Sequence, residues 1–312
     1  MIEAGTLVLE LTPPKQGGAV LLDHRSDMGW PRALSIFQDA AAGIVILHRQ
    51  GPKVSRHHLP GPLPRDWQLA QLTYTWNSPG RIWALRLADS AGAWMCTASG
   101  HDPMPMFGDD IVALCAGSGT IVKDPSVQWF GVCLAQPTLP VSGWIGQRTP
   151  IDTARGCVMA GDLRPGDLIA TRDNGRQMLM SLHRYMLPNR GRFAPVLLRA
   201  PYFAQQTDIL VGPAQLTLIS GTAVEYLFGE EAILAAASSL RDGNSALSDT
   251  RRALTAGIIL DLGRPDLVLA NGCPLLSRHN AARDTLPYRL LLDYETLPLQ
   301  SLLNRSSLRG AA

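Results

Sequence analysis

A chain of 312 residues with 46% hydrophobic and 17% charged side chains is long enough for two domains and can bury a sizeable core. A net charge of +2 and scattered arginines, with no basic run longer than Arg251-Arg252, exclude the electrostatic footprint of a nucleic-acid or anionic-membrane binder. No apolar run approaches a membrane span, and five cysteines without a CxxC pair exclude a disulfide framework or a zinc knuckle.

The odd cysteine number fits a reducing compartment. The opening "MIEAGTLVLELTPPKQ" lacks the basic and apolar regions of a secretion signal, so a cytoplasmic location is expected, with signal-independent export left open. Neither a cofactor nor a metal is expected. With 29 glycines and 23 prolines, the chain should be cut into many short elements, which favours β architecture over helical bundles.

Residues 1–130 read as strand after strand. "TLVLEL", "AVLLDH", "LSIFQD", "GIVILHR", "LAQLTYTW" and "IWALRLAD" are rich in β-branched or aromatic residues or alternate in polarity. Turn residues separate them: "PPKQGG", "SDMGWP", "QGPK", "NSPG" and "DSAG". "AQLTYTWNSPGRIWALRLAD" is an amphipathic hairpin that puts Leu72, Tyr74 and Trp76 on one face. The expected fold is an antiparallel β-sandwich. The order of these pieces resembles the laminin-G-like or concanavalin-like jelly roll over roughly the first 100 residues. That resemblance implies a surface for sugars or proteins, with Trp76, Trp83 and Trp94 as candidate aromatic contacts.

Other features of this half read as structural. Asp109-Asp110 in "GDDIVALC" looks like a helix N-cap rather than a cation site. His57-His58 in "VSRHHLPGPLP" reads as a solvated turn before a proline-rich loop, because neighbours on a strand point to opposite faces and cannot share an ion. "GHDPMPMFGDD" with His101 reads as a packing loop. Cys96, Cys115 and Cys133 lie in apolar stretches read as strands, where a small buried residue is expected.

Residues 131–140 read as a linker, and 141–280 as a second domain. In "DLRPGDLI", proline presets the second turn position and glycine accepts positive φ at the third. "TRDNG" supplies an Asn-Gly hairpin turn. "YLFGEEAILAAASSL" reads as a short strand followed by a helix, with Glu230 and Glu231 in its first turn and Leu240 at its end. His183 lies on an exposed strand.

Six pieces occur in order: the entry with Thr149, Ile151, Thr153 and Gly156, "DLRPGDLI", "APVLLRA", "DILVGP", "EYLFGE" followed by "AILAAASSL", and a closing "LVLANG". Together they make this half similar to the Hint (hedgehog/intein) domain in its bacterial variant. The resemblance implies an all-β fold and an intramolecular acyl shift. In that chemistry a Cys or Ser opening the domain attacks the preceding carbonyl, and a T-x-x-H element strains the peptide and protonates the leaving amine.

This chain departs from that pattern at both positions. The nucleophile, five or six residues before Thr149, falls on Gly143 or Trp144, and neither can attack a carbonyl. The T-x-x-H slots fall on Gly212 and Gln215, and a glutamine amide cannot carry a proton at neutral pH. The fallback candidates are Ser142, Cys157 and the pair His279-Asn280, which echoes an intein terminus but precedes Ala281, a residue unable to take an acyl group.

Residues 281–312 form a partly helical tail with Leu290, Leu291, Leu297, Leu299, Leu302 and Leu303 at helical spacing, broken at Pro298. Such a tail either docks on its own domain or offers a face to a partner or a second copy. The expectation is therefore a mainly β chain with a jelly-roll-like sandwich, a degenerate Hint-like domain and a binding or structural role toward a protein or carbohydrate. Two alternatives stand beside it. One is active self-cleavage, and the other is a component of a phage-like or secretion-associated assembly.

Overall fold

The computed structural model describes residues 1–13, 17–26, 29–64, 66–90, 92–118, 120–134, 143–279 and 285–300. It is mainly β and divides into two compact units, Met1–Thr138 and Leu139–Ala312.

The first unit consists of two five-stranded antiparallel sheets. One runs Val127–Cys133, Ala4–Leu11, Ala70–Asn77, Ile82–Asp89, Met95–His101, and the other Lys53–Pro60, Gly43–Gln50, Arg32–Asp39, Gly18–Ser26, Thr120–Lys123. Leu7, Leu9, Leu72, Leu85 and Leu87 of the first sheet share one core with Leu22, Ile36, Ile44, Ile46 and Leu59 of the second, which makes the unit a sandwich. The expected hairpin forms with Tyr74 opposite Leu85 and Trp76 opposite Trp83, and Leu72, Tyr74 and Trp76 are fully buried.

Three local expectations are corrected here. His57-His58 is not a solvated turn. Both residues lie in the strand Lys53–Pro60, and His57 is buried, with its ring stacked on Tyr74 (5.2 Å) and tilted against Trp83 (4.6 Å). Asp109 and Asp110 stand in the first turn of the helix Gly108–Ala116, whose N-cap is Phe107 without a side-chain cap; Asp110 instead takes the fork of Arg32 at 2.7 and 2.9 Å. Cys115 is on that helix and exposed, and Cys96 and Cys133 are half-buried, so among the described cysteines only Cys273 is fully buried.

The second unit has a six-stranded sheet in the order Ser181–Pro188, Leu254–Asp261, Ile145–Gly146, Ile209–Val211, Val196–Leu198, Ala246–Ser248. Two four-stranded sheets accompany it: Gly156–Met159, Pro150–Thr153, Leu168–Ala170, Arg176–Met178, and Ala232–Ala236, Leu216–Ser220, Cys273–Leu276, Leu267–Ala270. The Pro165-Gly166 turn forms as its chemistry requires, with Asp167 N donating to Arg164 O (3.0 Å) and Gly166 at φ 95°.

The order of elements around Leu227 is the reverse of the expectation. The helix comes first, Thr222–Phe228, bounded by Gly221 and Gly229 at positive φ, and the alanine-rich stretch is the strand Ala232–Ala236. Helix propensity loses there because the strand pairs residue for residue with Leu216–Ser220, and Ile233, Leu234 and Ala235 are fully buried.

The described tail docks on its own unit. Leu290 forms a parallel bridge with Leu234; Leu234 N donates to Arg289 O (2.8 Å) and Leu291 N to Leu234 O (2.9 Å). Leu291 and Leu299 enter the main core. Pro298 does not break the helical run over 293–300, because the run turns from 3-10 to α-helix at Thr296 and Pro298 falls in the first turn of the α-helical part, where no N–H is needed. Leu302 and Leu303 lie outside the described residues.

Candidate functional site

Gly143 and Trp144 lead into the two-residue strand Ile145–Gly146 at the centre of the six-stranded sheet. Its neighbour Ile209–Val211 runs into a tight turn, with Gln215 N donating to Gly212 O at 3.0 Å, before Leu216–Ser220 switches to another sheet. Gly212 N donates to Trp144 O at 2.7 Å. The fold therefore brings together all four positions at which the sequence departs from the acyl-shift pattern.

Packing among the four is close. A Cβ on Gly143 would fall 2.5 Å from Gln215 Cα and 2.7 Å from its Oε1, so no nucleophilic side chain fits at 143 as the chain stands. A Cβ on Gly212 would fall 2.5 Å from Nε1 of Trp144, and one on Gly257 would fall 3.0 Å from two carbons of the same indole. Trp144, only 3% exposed, thus occupies the space that two glycines vacate. Gln215 is buried, and its Nε2 donates to Leu276 O (2.8 Å) and Leu216 O (3.1 Å). The amide ties two backbone carbonyls together and has no proton to relay.

A residual cavity of about 10 Å3 beside Gly143 and Gln215 is walled mainly by Ile145, Ile151, Ile258, Val268 and Leu275. That volume holds at most one water. The titratable group at its margin is Arg278, whose Nη1 binds Asp261 at 2.7 Å. No imidazole lines it among the described residues.

Of the described fallback residues, neither Cys157 nor His279 lines this cavity. Cys157 sits on the hairpin opposite Asp152, and its thiol donates to Asp152 Oδ1 at 2.9 Å. That bond to a carboxylate, with some burial, pushes the thiol up to about 11, away from the nucleophilic form. Cys273 is pushed up to about 12 by burial alone. His279 is half-buried; Ser142 and Asn280 lie outside the described residues. His183 lies on an exposed strand position, near Ser181 Oγ at 3.5 Å.

In the sandwich, the three candidate tryptophans are core or core-packed: Trp76 is fully buried, and Trp83 and Trp94 pack against the same cluster. The exposed aromatic is Trp30, 44% accessible, edge-on to Phe107. Behind Phe107 lies a small polar end of the sandwich interior, with Arg32, Asp110, His24 and His48 around a cavity of about 20 Å3. Sequence reasoning missed this cluster, because His24 and His48 meet only through the cross-strand row His24, Leu34, His48. No local spacing announces such a row.

Residues 146–282 match the Hint domain family, and a Hint domain occupies that part of the chain. The match begins at Gly146, just beyond Gly143 and Trp144. Among solved structures, the chain is similar to the MchDnaB-1 intein at 16% identity, covering 43% of this chain and 99% of the intein, with a TM-score of 0.30. A second similarity is to tailspike protein 2 of Escherichia coli O157:H7 bacteriophage CAB120, at 14% identity over 34% of this chain and 15% of the tailspike, with a TM-score of 0.24. No curated protein matches the sequence.

Proposed function

We propose that this chain is a non-catalytic binding or structural protein, in which a Hint domain that no longer processes itself accompanies a jelly-roll-like recognition sandwich. The observation that carries this reading is the packing of Gly143 on Gln215 and of Trp144 across Gly212 and Gly257. An acyl shift needs a nucleophile poised on a carbonyl and a proton donor beside it, within about 3 Å of the reacting atoms. Here the first position is filled by backbone and hydrocarbon, and the second by an amide held on two carbonyls. Trp144 and the two glycines are complementary in size: the indole fills the space that side chains at 212 and 257 would need. Such a centre supports a rigid scaffold.

Intact mass tests the reading. The full chain, tagged at each end, is followed for a day with and without an added thiol. A single unshifted mass is the expected result. Fragments meeting near Gly143, or release at Asn280, would establish self-processing and overturn it.

A further inference from the structure

One sheet of the first unit ends in the strand Met95–His101, and only one side of that strand is used. At its two ends Asp89 N donates to Trp94 O and Asp102 N to Arg81 O, both at 3.1 Å. The register between them is unbroken, with Leu87 opposite Cys96, Leu85 opposite Ala98 and Trp83 opposite Gly100. In an antiparallel pair, bonded and non-bonded residues alternate along the strand. Trp94 and Asp102 bond toward Ile82–Asp89, so Cys96, Ala98 and Gly100 do the same. The N–H and C=O groups of Met95, Thr97, Ser99 and His101 therefore point away from the sheet. Among the described residues no backbone or side-chain group bonds them from that side. These four residues are exposed, while the alternate ones are half-buried, with Cys96 and Ala98 packed on the core.

The other outer strands of the sandwich are protected against pairing with a further strand. Lys53–Pro60 carries Lys53, Arg56 and Pro60, and Thr120–Lys123 has only four residues and ends in lysine. Val127–Cys133 is hydrogen-bonded through the backbone of Val132 to the Cys115 thiol on the neighbouring helix. Met95–His101 has none of these devices. Its seven residues include no Lys, Arg, Asp, Glu or Pro, and its pairing has no bulge. The charges beyond its end, Arg81 and Asp102, are bound to each other at 2.7 Å.

We propose that Met95–His101 pairs with the same strand of a second copy of this chain, antiparallel about a two-fold axis at Ala98, joining two sheets into one. The bonding pattern fixes that register. A further strand must set outward residue opposite outward residue, and centring on Ala98, the midpoint, is the choice that uses the whole strand. Thr97 then faces Ser99 of the second copy, and Met95 faces its His101, so every outward N–H and C=O finds a partner. On the exposed face hydroxyl meets hydroxyl, a favourable cross-strand pair, and no like charges are opposed. At the axis the two Ala98 residues form a non-bonded pair with Cα atoms about 4.5 Å apart, where a small side chain fits. A peptide from another protein would use the backbone alone; the match of hydroxyl with hydroxyl and alanine with alanine selects a second copy. The contact is isologous, so it closes as a dimer and does not propagate into a filament. It involves the first unit alone and holds whether or not the Hint domain processes itself.

Sedimentation equilibrium of the full chain over a range of concentrations should show a reversible step to twice the mass of one chain. Ser99 is exposed and lies opposite Ala84, so a charge there leaves the sandwich itself undisturbed. Ser99→Lys sets two ammonium groups about 7–8 Å apart across the axis. It should weaken association by about tenfold or more. Ser99→Glu should do the same, and an equimolar mixture of the two variants should restore the dimer. Amide exchange read by NMR reports the register: Thr97 and Ser99 should gain protection as concentration rises, while Ala98 is protected throughout. A single-chain mass at every concentration, a dimer untouched by Ser99→Lys, a mixture that does not restore it, or Thr97 and Ser99 amides that exchange freely in the dimer would each overturn the proposal. The wild-type masses and exchange rates decide it even if a variant folds poorly.

Discussion

The two units bury polarity in opposite ways. In the sandwich, three imidazoles are kept inside: His24 and His48 line a small cavity, His57 stacks on Tyr74, and both ring nitrogens of His24 and Nδ1 of His48 and His57 lack a hydrogen-bond partner among the described residues. Burial holds His48 and His57 down at about 4 and lowers His24. In the Hint domain, the four positions Gly143, Trp144, Gly212 and Gln215 are packed as an indole on glycines and an amide whose donors are held by two backbone carbonyls. The first arrangement makes a unit sensitive to pH, and the second makes one sensitive to shape.

Removing the indole should have the largest effect. Trp144→Ala opens a cavity across Gly212 and Gly257 and should cost about 3–5 kcal/mol. A lower urea midpoint, with hydrogen-exchange protection lost in residues 143–279 and retained in the sandwich, is the outcome that fits. An unchanged midpoint would mean the indole is not packed as described.

Acid should reach the sandwich first. His48 and His57 have folded values near 4, below the ordinary 6.5, so the folded state favours their neutral forms. That contribution is whole above about pH 6.5 and is lost as pH falls toward 4. For His48 alone the loss amounts to about 3 kcal/mol. Unfolding followed by hydrogen exchange between pH 7 and 4 should show the sandwich weakening more than the Hint domain. His57→Phe, which keeps a ring beside Tyr74 and Trp83, should flatten part of that slope, and an identical slope would remove His57 from the account.

A smaller effect, about 1–3 kcal/mol, is expected for Gly212→Ala, which forces a methyl group against the indole. Combined with Trp144→Leu, the penalty should be less than the sum of the two single changes, because they share one space. Strict additivity in thermal melts would show that the two sites are uncoupled. Smallest of all, and without effect on stability, is the reactivity of Cys157. Its exposed thiol should alkylate at least ~10-fold more slowly at pH 8 than an ordinary one, and Asp152→Asn should restore the rate, as read by peptide mass after iodoacetamide.

Much of the backbone plan could be read locally. Period-two alternation and a Pro-Gly turn specify the hairpin around Asn77, and Pro165-Gly166 specifies its own turn. What escaped depends on partners far along the chain. The strand Ala232–Ala236 has the composition of a helix and is extended because Leu216–Ser220 pairs with it. His57 precedes a proline-rich stretch and is nonetheless core, because Tyr74 and Trp83 arrive above it. The residue identities at 143, 144, 212 and 215 were legible, and they alone say which groups can donate or accept a proton there. The indole across Gly212 and Gly257 was not, because it needs three separated strands in register.

The docking of the tail on Ala232–Ala236 also sets a schedule for biosynthesis. That strand lies at the end of its four-stranded sheet, and its outer backbone is satisfied by Arg289 and Leu291. A ribosome completes the other strands of this sheet before those residues emerge, so the nascent chain carries an unpaired edge until they do. Chaperone occupancy, and the fate of chains released early, should follow the moment residues 289–291 clear the exit tunnel.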